Sequence, residues 1–435
     1  MSYALEEPEG MLGLMFAFEG ISDSVTILHG PTGCKQYPAD LSERSFRTRN
    51  GQFMVRDLFS FKRRFLFYQS RIPCTYLDGD TFVSGAAERL NELYGITVDD
   101  KPAIIGIINS PGASLIGEDL TRLKSDIPTV GFESPGFSLP FGEGYQNGVI
   151  GAIDALASEK KGKKGVFVLG MGIWQYRWED NEEEIRRMLA LCGIDDVTFV
   201  CAGSSAEEIS RISDSELNIV LYDEYGLRTA EHCKDRFGTD FVRGLPLGFD
   251  AVESWIREVC SKLGKDPSKA LEDVACWRHR SADRLYRLDR AFINVAGKTF
   301  TAEADRQTVE HVSRFLYSYL GLIPVAISTG RDDAALAIRE DFGSMGVPVS
   351  DSVWDTEADI ALTSGNVISS LKSRGVIREG VEICEPARSH VAITPEPSIG
   401  TMGTVMLLQK TLDITSRIIK RKKMSVTRRR AGGRP

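Results

Sequence analysis

The sequence predicts an α/β protein with mainly parallel sheets. Two observations carry that prediction. Short β-favouring runs alternate with longer helical runs almost from end to end, the pattern of βα units whose strands lie parallel. The alternation also restarts twice, after Lys160-Lys161-Gly162-Lys163-Lys164 and again near Lys298, giving three blocks with no short sequence repeat. A chain of 435 residues is too long for one hydrophobic core. The expected organisation is three Rossmann-like domains, 1–160, 161–290 and 291–415, then a basic, disordered tail at 416–435.

In the first block, Val25–Leu28, Ala103–Ile108 and Thr129–Phe132 are the expected strands. Ser84–Tyr94, Ile116–Leu123 and Gly144–Ser158 are the expected helices. Between Pro38 and Cys74 the chain is polar and rich in arginine and aromatics, with no clear period. It is expected to be a long functional or interface loop with a helical part. In the second block, strands are expected at Val166–Leu169, Val197–Cys201 and Asn218–Tyr222. Helices are expected at Asn181–Leu191, whose first turn is acidic as the helix dipole favours, and at Thr229–Phe237 and Ala251–Leu263. A charged helix, Trp277–Arg290, links to the third block. There Lys298–Ala302, Val325–Ser328 and Ile360–Thr363 are strands, and Gln307–Leu320, Asp333–Phe342 and Val367–Ser373 are helices. A last helix spans Thr401–Lys420.

Composition narrows the class. At 42 % hydrophobic and 26 % charged residues, the chain is neither disordered nor fibrous. It has no apolar run long enough for a membrane span. Met1-Ser2-Tyr3-Ala4-Leu5-Glu6-Glu7 lacks a signal-peptide pattern, so a cytoplasmic location is expected. The eight cysteines, at 34, 74, 192, 201, 233, 260, 276 and 384, form no C-x-x-C pair and no disulfide framework. With thiols reduced, a functional cysteine is a metal ligand or a nucleophile. The net charge of −8 is uneven: Ser416–Pro435 carries nine Lys/Arg and no acid, which leaves −17 on the body. The tail is either a solvated extension or a docking arm for an anionic partner, RNA or a membrane surface.

Several common activities lack local support. Gly297-Lys298-Thr299 resembles the end of a phosphate-binding loop, but Phe292 stands where its first glycine belongs. Gly170-Met171-Gly172 is half a dinucleotide fingerprint, with Tyr176 distant from a third glycine. No H-E-x-x-H and no G-x-S-x-G occurs. Any ATP dependence therefore has to come from a partner.

The stretch with the most chemical promise is Thr26-Ile27-Leu28-His29-Gly30-Pro31-Thr32-Gly33-Cys34. It is the end of a strand, then a turn that holds one thiol at the mouth of a sheet. Gly30 and Gly33 permit close approach by something bulky, and such crevices are where α/β sheets bind ligands. Read alone, Cys34 is also consistent with an inert, buried thiol.

Taken with other stretches in order, this segment resembles component 1 of nitrogenase and its relatives. These include the catalytic nitrogenase subunits, cofactor-assembly scaffolds and dark-operative protochlorophyllide reductases. The matching segments are His29-Gly30-Pro31-Thr32-Gly33-Cys34, Phe82-Val83-Ser84-Gly85-Ala86-Ala87-Glu88-Arg89-Leu90, Ser110-Pro111-Gly112-Ala113-Ser114-Leu115-Ile116-Gly117-Glu118-Asp119, Glu133-Ser134-Pro135-Gly136-Phe137, and Thr394 to Gly403. The resemblance implies three Rossmann-like domains and an iron–sulfur cluster, four-iron four-sulfur or larger. It also implies a homologous sister subunit, in a heterotetramer with two copies of each chain, and electrons from an ATP-dependent iron–sulfur reductase.

In that family, cluster cysteines occupy three first-domain sites. Cys34 matches the second, whereas the first falls on Glu9 and the third on Ser110-Pro111. Glu9 is either an oxygen ligand or an exposed acid. Ser110 either ligates or ends a strand. Cys74, in Ile72-Pro73-Cys74-Thr75, either compensates for a missing ligand or packs. Since such a cluster wants four thiolates, a site shared with the sister chain is expected. The large catalytic cluster of nitrogenase has its single cysteine ligand where Tyr222 stands, and its histidine where His390 falls. Without the thiolate, that cofactor is not expected here. His390 remains a candidate proton donor to substrate, or a surface histidine. The implied function is a nitrogenase-like reductase subunit; a metallocluster scaffold or a structural pseudo-subunit is the alternative.

Overall fold

The structure, a computed structural model, describes residues 10–31, 33–34, 72–133, 139–158, 162–290, 295–329, 332–385, 387 and 393–431. The first block contains α1 (Gly10–Glu19), β1 (Ser24–His29), α2 (Gly79–Ser84), α3 (Ala87–Asp99), β2 (Ile104–Asn109), α4 (Pro111–Ser114), β3 (Thr129–Phe132) and α5 (Phe141–Leu156). The second contains β4 (Val166–Leu169), α6 (Trp178–Leu191), β5 (Val197–Phe199), α7 (Ala206–Ser210), β6 (Leu217–Val220), α8 (Asp223–Phe237) and β7 (Phe241–Arg243). Next come α9 (Phe249–Leu263) and α10 (Ser268–Arg290). The last block is β8 (Thr299–Glu303), α11 (Arg306–Leu320), β9 (Ile323–Ser328), α12 (Asp332–Ser344), β10 (Ala358–Ser364), α13 (Gly365–Ser373), β11 (Ile377–Cys384) and α14 (Gly400–Ala431).

All strand pairs are parallel, in three sheets with orders β1-β2-β3, β5-β4-β6-β7 and β11-β10-β8-β9. The second and third sheets share one topology. In each, the first strand has its successor on one side and the next two strands on the other. The first sheet follows suit, because Cys74 forms a parallel bridge with Leu28 on the free edge of β1. Each sheet thus has one switch point: between β1 and β2, between β4 and β6, and between β8 and β10. Ligands of open α/β sheets bind at such points, beyond the carboxyl ends of the strands.

The chain divides into two compact units. One takes in the described residues up to Trp174 together with Asp196–Arg243, and carries the first two sheets. The other, Gln175–Asp195 and Gly244 onward, carries the third sheet. Within the latter, α14 packs on α6, α9, α10 and β11. This helix continues to Ala431, through most of the stretch expected as a disordered tail.

The core of the first sheet has two sides, set by strand alternation. Ile27, Ile105 and Ile107 pack with Leu90, Tyr94 and Leu120 on one face. Leu28 and Ile108 pack with Met11, Leu14, Met15 and Ile72 on the other. Helix α1 belongs to that second face. All ten of its residues are buried, so it has no polar side to reveal a helical period and the sequence pattern does not announce it. Its backbone lies close to α5: a Cβ on Gly13 would meet Phe141 O at 2.2 Å, and one on Gly144 would meet Gly10 O at 2.0 Å.

One expected helix is corrected. Ile116–Leu123 is not a helix; the turn starts earlier, as α4, and only Leu120–Arg122 forms a short 3-10 turn. Ser110 caps α4, Pro111 occupies its first position, and Gly117, at φ +73°, stops any continuation. Strands β7 and β11 add to the expected set, being short or irregular at their ends.

Candidate functional site

The switch point of the first sheet gathers most of the residues singled out in the sequence. Strand β1 ends at His29, and the chain then turns through Gly30 and Pro31, with Cys34 N donating to Pro31 O (3.1 Å). Segment 73–77 runs along the free edge of β1: Leu28 N donates to Pro73 O (2.9 Å), Thr75 N to Leu28 O (3.3 Å) and Leu77 N to Gly30 O (3.1 Å). Thr75 locks the turn. Its Oγ1 accepts from Gly30 N (3.0 Å) and lies 3.0 Å from His29 Nδ1. Nothing in the sequence marks Thr75 for this role except that it follows Cys74.

His29 is fully buried, and burial lowers its pKa, with the nearby Glu118 charge partly offsetting the effect. The imidazole is therefore neutral near pH 7, and its Nε2 has no hydrogen-bond partner. On the neighbouring strand, Asn109 lies in register with His29 and also keeps an unpartnered atom, Oδ1.

The predicted ligands differ in availability. Cys34 is half-buried, seated on the apolar floor of Met11, Leu14, Met15, Leu28, Ile72 and Ile108. Cys74 is buried and directs its thiol to Gly30 O (3.2 Å). Ser110 is fully buried. Its N–H donates to His29 O (2.8 Å), and its Oγ accepts from Ala113 N (3.2 Å) as the cap of α4. It also lies against Gly30, where a Cβ would be 2.3 Å from Ser110 Oγ. Gly33 has open space on its Cβ side. Glu9 and His390 lie outside the described residues, as does the arginine-rich stretch 44–71. Among the described residues, no three His, Cys, Asp or Glu side chains are grouped to hold a metal. One accessible thiol is too few for an iron–sulfur cluster, so these residues fit such a group only if further ligands come from elsewhere.

Two large apolar side chains on the elements that follow are exposed, Val83 at the end of α2 (90 %) and Leu115 after α4 (85 %). Such side chains are usual where another chain packs.

The second switch point is closed. Tyr222, in the place of the family's cofactor cysteine, is buried with its ring beside Tyr225 (6.2 Å between centroids). A Cβ on Gly170 would lie 2.5 Å from Tyr222 O. Trp174 stacks edge-on to Tyr225, Phe141 and Tyr145. Aromatic rings and close backbone contact crowd the space, and among the described residues no donor set for a metallocluster is grouped there. Elsewhere, burial raises the Cys192 and Cys233 thiols to about 12 each, and Cys201 higher still, as inert packing thiols require. Cys276 is exposed on α10. His232 pairs with Asp154 (2.8 Å) on the surface. Among the described residues, no helix is long and apolar enough to cross a membrane.

Comparison with known proteins extends this picture. The model of a family described as nitrogenase component 1 type oxidoreductase matches residues 10–414. Over 206 residues the chain is 26 % identical to one of the subunits of light-independent protochlorophyllide reductase from Methylobacterium radiotolerans, covering 46 % of this chain and 37 % of that protein. It is 26 % identical over 246 residues to the corresponding protein of Synechococcus sp. (strain RCC307), covering 55 % of this chain and 42 % of that protein. In both cases the match spans less than half of the relative's length. A solved structure of nitrogenase Cp1 at pH 6.5 superposes with a TM-score of 0.75, at 16 % identity, over 97 % of this chain and 94 % of that one.

Proposed function

The chain belongs to the nitrogenase component 1 type oxidoreductase family, and from that premise we propose that it is one member of a heteromeric nitrogenase-like reductase. In this reading it receives low-potential electrons from an ATP-dependent iron–sulfur protein. With further ligands from a homologous sister chain it would hold a cluster that serves the reduction of a bound small molecule, a tetrapyrrole or another unsaturated or thioether compound. The observation that carries the reading is Cys34, a half-buried thiol at the first switch point, on an apolar floor. When bound, an iron–sulfur cluster supplies one-electron transfer at low potential. Cys34 would hold it, with Gly33 leaving room above the turn and Glu9 as a second, oxygen donor. Cys74 becomes a ligand only by giving up its bond to Gly30 O. Ser110 takes part through its backbone position rather than its hydroxyl. His390 is the proposed proton donor to substrate.

The scaffold or pseudo-subunit alternative draws on the donor set, a single half-buried thiol at the first switch point and Tyr222 in place of a cysteine. Anaerobic co-purification with the sister chain separates the readings. The reductase reading expects iron, visible charge-transfer absorption and an EPR signal that changes when the ATP-dependent reductase is added. A scaffold keeps the cluster but does not turn over, and a pseudo-subunit has no iron. Cys34→Ala is expected to abolish iron binding with fold and partner retained; unchanged iron places the ligands elsewhere.

A further inference from the structure

The end of β1 is held from its free edge by segment 74–77. Gly30 N donates to Thr75 Oγ1 (3.0 Å), and Gly30 O accepts from Leu77 N (3.1 Å) and from the Cys74 thiol (3.2 Å). The Thr75 hydroxyl also lies 3.0 Å from His29 Nδ1. Thr75 and His29 are both buried, so these contacts are shielded from bulk water and count for more than they would at the surface.

A hydroxyl has one proton to give. Thr75 Oγ1 already accepts from Gly30 N, and two acceptors compete for its proton. Gly30 O is 3.5 Å away, at the limit of a hydrogen bond, and already takes two other donors; His29 Nδ1 is 3.0 Å away. The proton therefore goes to Nδ1. A neutral imidazole that accepts at Nδ1 has its own proton on Nε2. The neighbouring strand agrees. Asn109, in register with His29, meets Glu133 O at 3.0 Å. That carbonyl only accepts, so the atom facing it is the amide nitrogen, and the unpartnered atom of Asn109 is its oxygen. His29 Nε2 is unpartnered too. With the ring proton on Nδ1, both atoms would be bare lone pairs at the ends of adjacent strands; with it on Nε2, one is a donor and the other an acceptor.

We infer that Thr75 is a positioning residue of the first crevice: its hydroxyl fixes His29 as the Nε2–H tautomer and, through Gly30 N, holds the turn that leads to Cys34. The ring then offers a hydrogen bond to an electron-rich atom, sulfur or oxygen, and no lone pair to a metal ion. The hold on the turn deepens the reductase reading and rests on it, because it matters to function through Cys34; the state of the ring does not. Valine in place of Thr75 keeps the branched shape and removes the hydroxyl. It leaves Gly30 N buried without its acceptor and His29 Nδ1 without its donor.

The test is nuclear magnetic resonance of the full chain, expressed without its sister chain and isotopically labelled at the histidine ring nitrogens, near neutral pH. Protonated and bare ring nitrogens resonate far apart, couplings to the ring carbon protons tell Nδ1 from Nε2, and His29→Gln identifies the signal. A bare Nδ1 and a protonated Nε2 are expected. In Thr75→Val the protonated fraction of Nδ1 should rise. Alkylation of Cys34 by iodoacetamide should also speed up several-fold, read by peptide mass spectrometry against the exposed Cys276. Thr75→Ser, which keeps the hydroxyl, should restore both. A protonated Nδ1 in the wild type overturns the assignment with no variant needed. A folded Thr75→Val chain in which either readout stays at its wild-type value, or a Thr75→Ser chain that behaves like Thr75→Val, overturns it as well. Both readouts are made without a cluster, so a sister complex that contains no iron would sink the reductase reading and leave these results standing.

Discussion

The carboxyl ends of β1–β2 and of β8–β10 are the same construction used twice. In each, a buried titratable residue closes the first strand, His29 or Glu303, and has one unpartnered atom. In each, a polar residue faces it from the next strand, Asn109 or Thr363, and also keeps an unpartnered oxygen. In each, the following serine, Ser110 or Ser364, caps the next helix. The difference lies in charge. The first crevice has a neutral imidazole and a thiol on an apolar floor, and the third has carboxylates. One scaffold thus presents a thiol at one switch point and carboxylates at another. Chemistry in this fold is therefore set by two or three residues at each switch point.

The two crevices should differ most in their response to pH. Glu303 titrates near 7 in the folded chain, against 4.5 for an ordinary glutamate. Because its folded pKa is raised, the native state binds the extra proton. The associated stability is fully present below about pH 4.5 and is lost as pH rises through about 7, a swing of about 3 kcal/mol. Urea unfolding across that window should show the decline, and Glu303→Gln should flatten it. His29 works the other way: its lowered pKa keeps it neutral, so its burial contributes no such loss above neutrality. A profile unchanged by Glu303→Gln would erase the electrostatic contrast between the two sites.

Next in size is Gly30→Ala. The new methyl would sit 2.3 Å from Ser110 Oγ and 2.6 Å from its Cβ, inside a fully buried contact. Overpacking of this kind costs about 2 kcal/mol, readable as a lower urea midpoint at unchanged slope. The third crevice has Ala304, which already carries a Cβ, at the corresponding position after Glu303.

Much of the fold is legible because β-branched runs and amphipathic helices carry their own period. Val166–Leu169 and Thr129–Phe132 have the bounds expected from the sequence. Helix α1 is invisible for the opposite reason, being apolar on every side. At the first crevice, Cys34 stands out through its glycine turn. Thr75, which holds that turn together, does not, since a threonine's role as a clamp depends on a partner 46 residues away. Glu303 is equally silent: a glutamate at a strand end looks exposed until the register places it beside Thr363.

The smallest expected effect decides most about Ser110. Aligned by family resemblance, it stands where a cluster ligand would be; aligned by internal repetition, it stands where Ser364 is. Both serines accept from the backbone N–H three residues on, at 3.2 Å and 3.4 Å, and both begin a helix. The cap reading expects Ser110→Ala and Ser364→Ala to cost about 1 kcal/mol each, and neither to change iron content in the co-purified complex. The ligand reading expects the two to part company, with iron lost only at Ser110. Equal and modest destabilisation would assign the serine to the scaffold that the sheets share, and leave Cys34 as the residue by which the first crevice departs from the third.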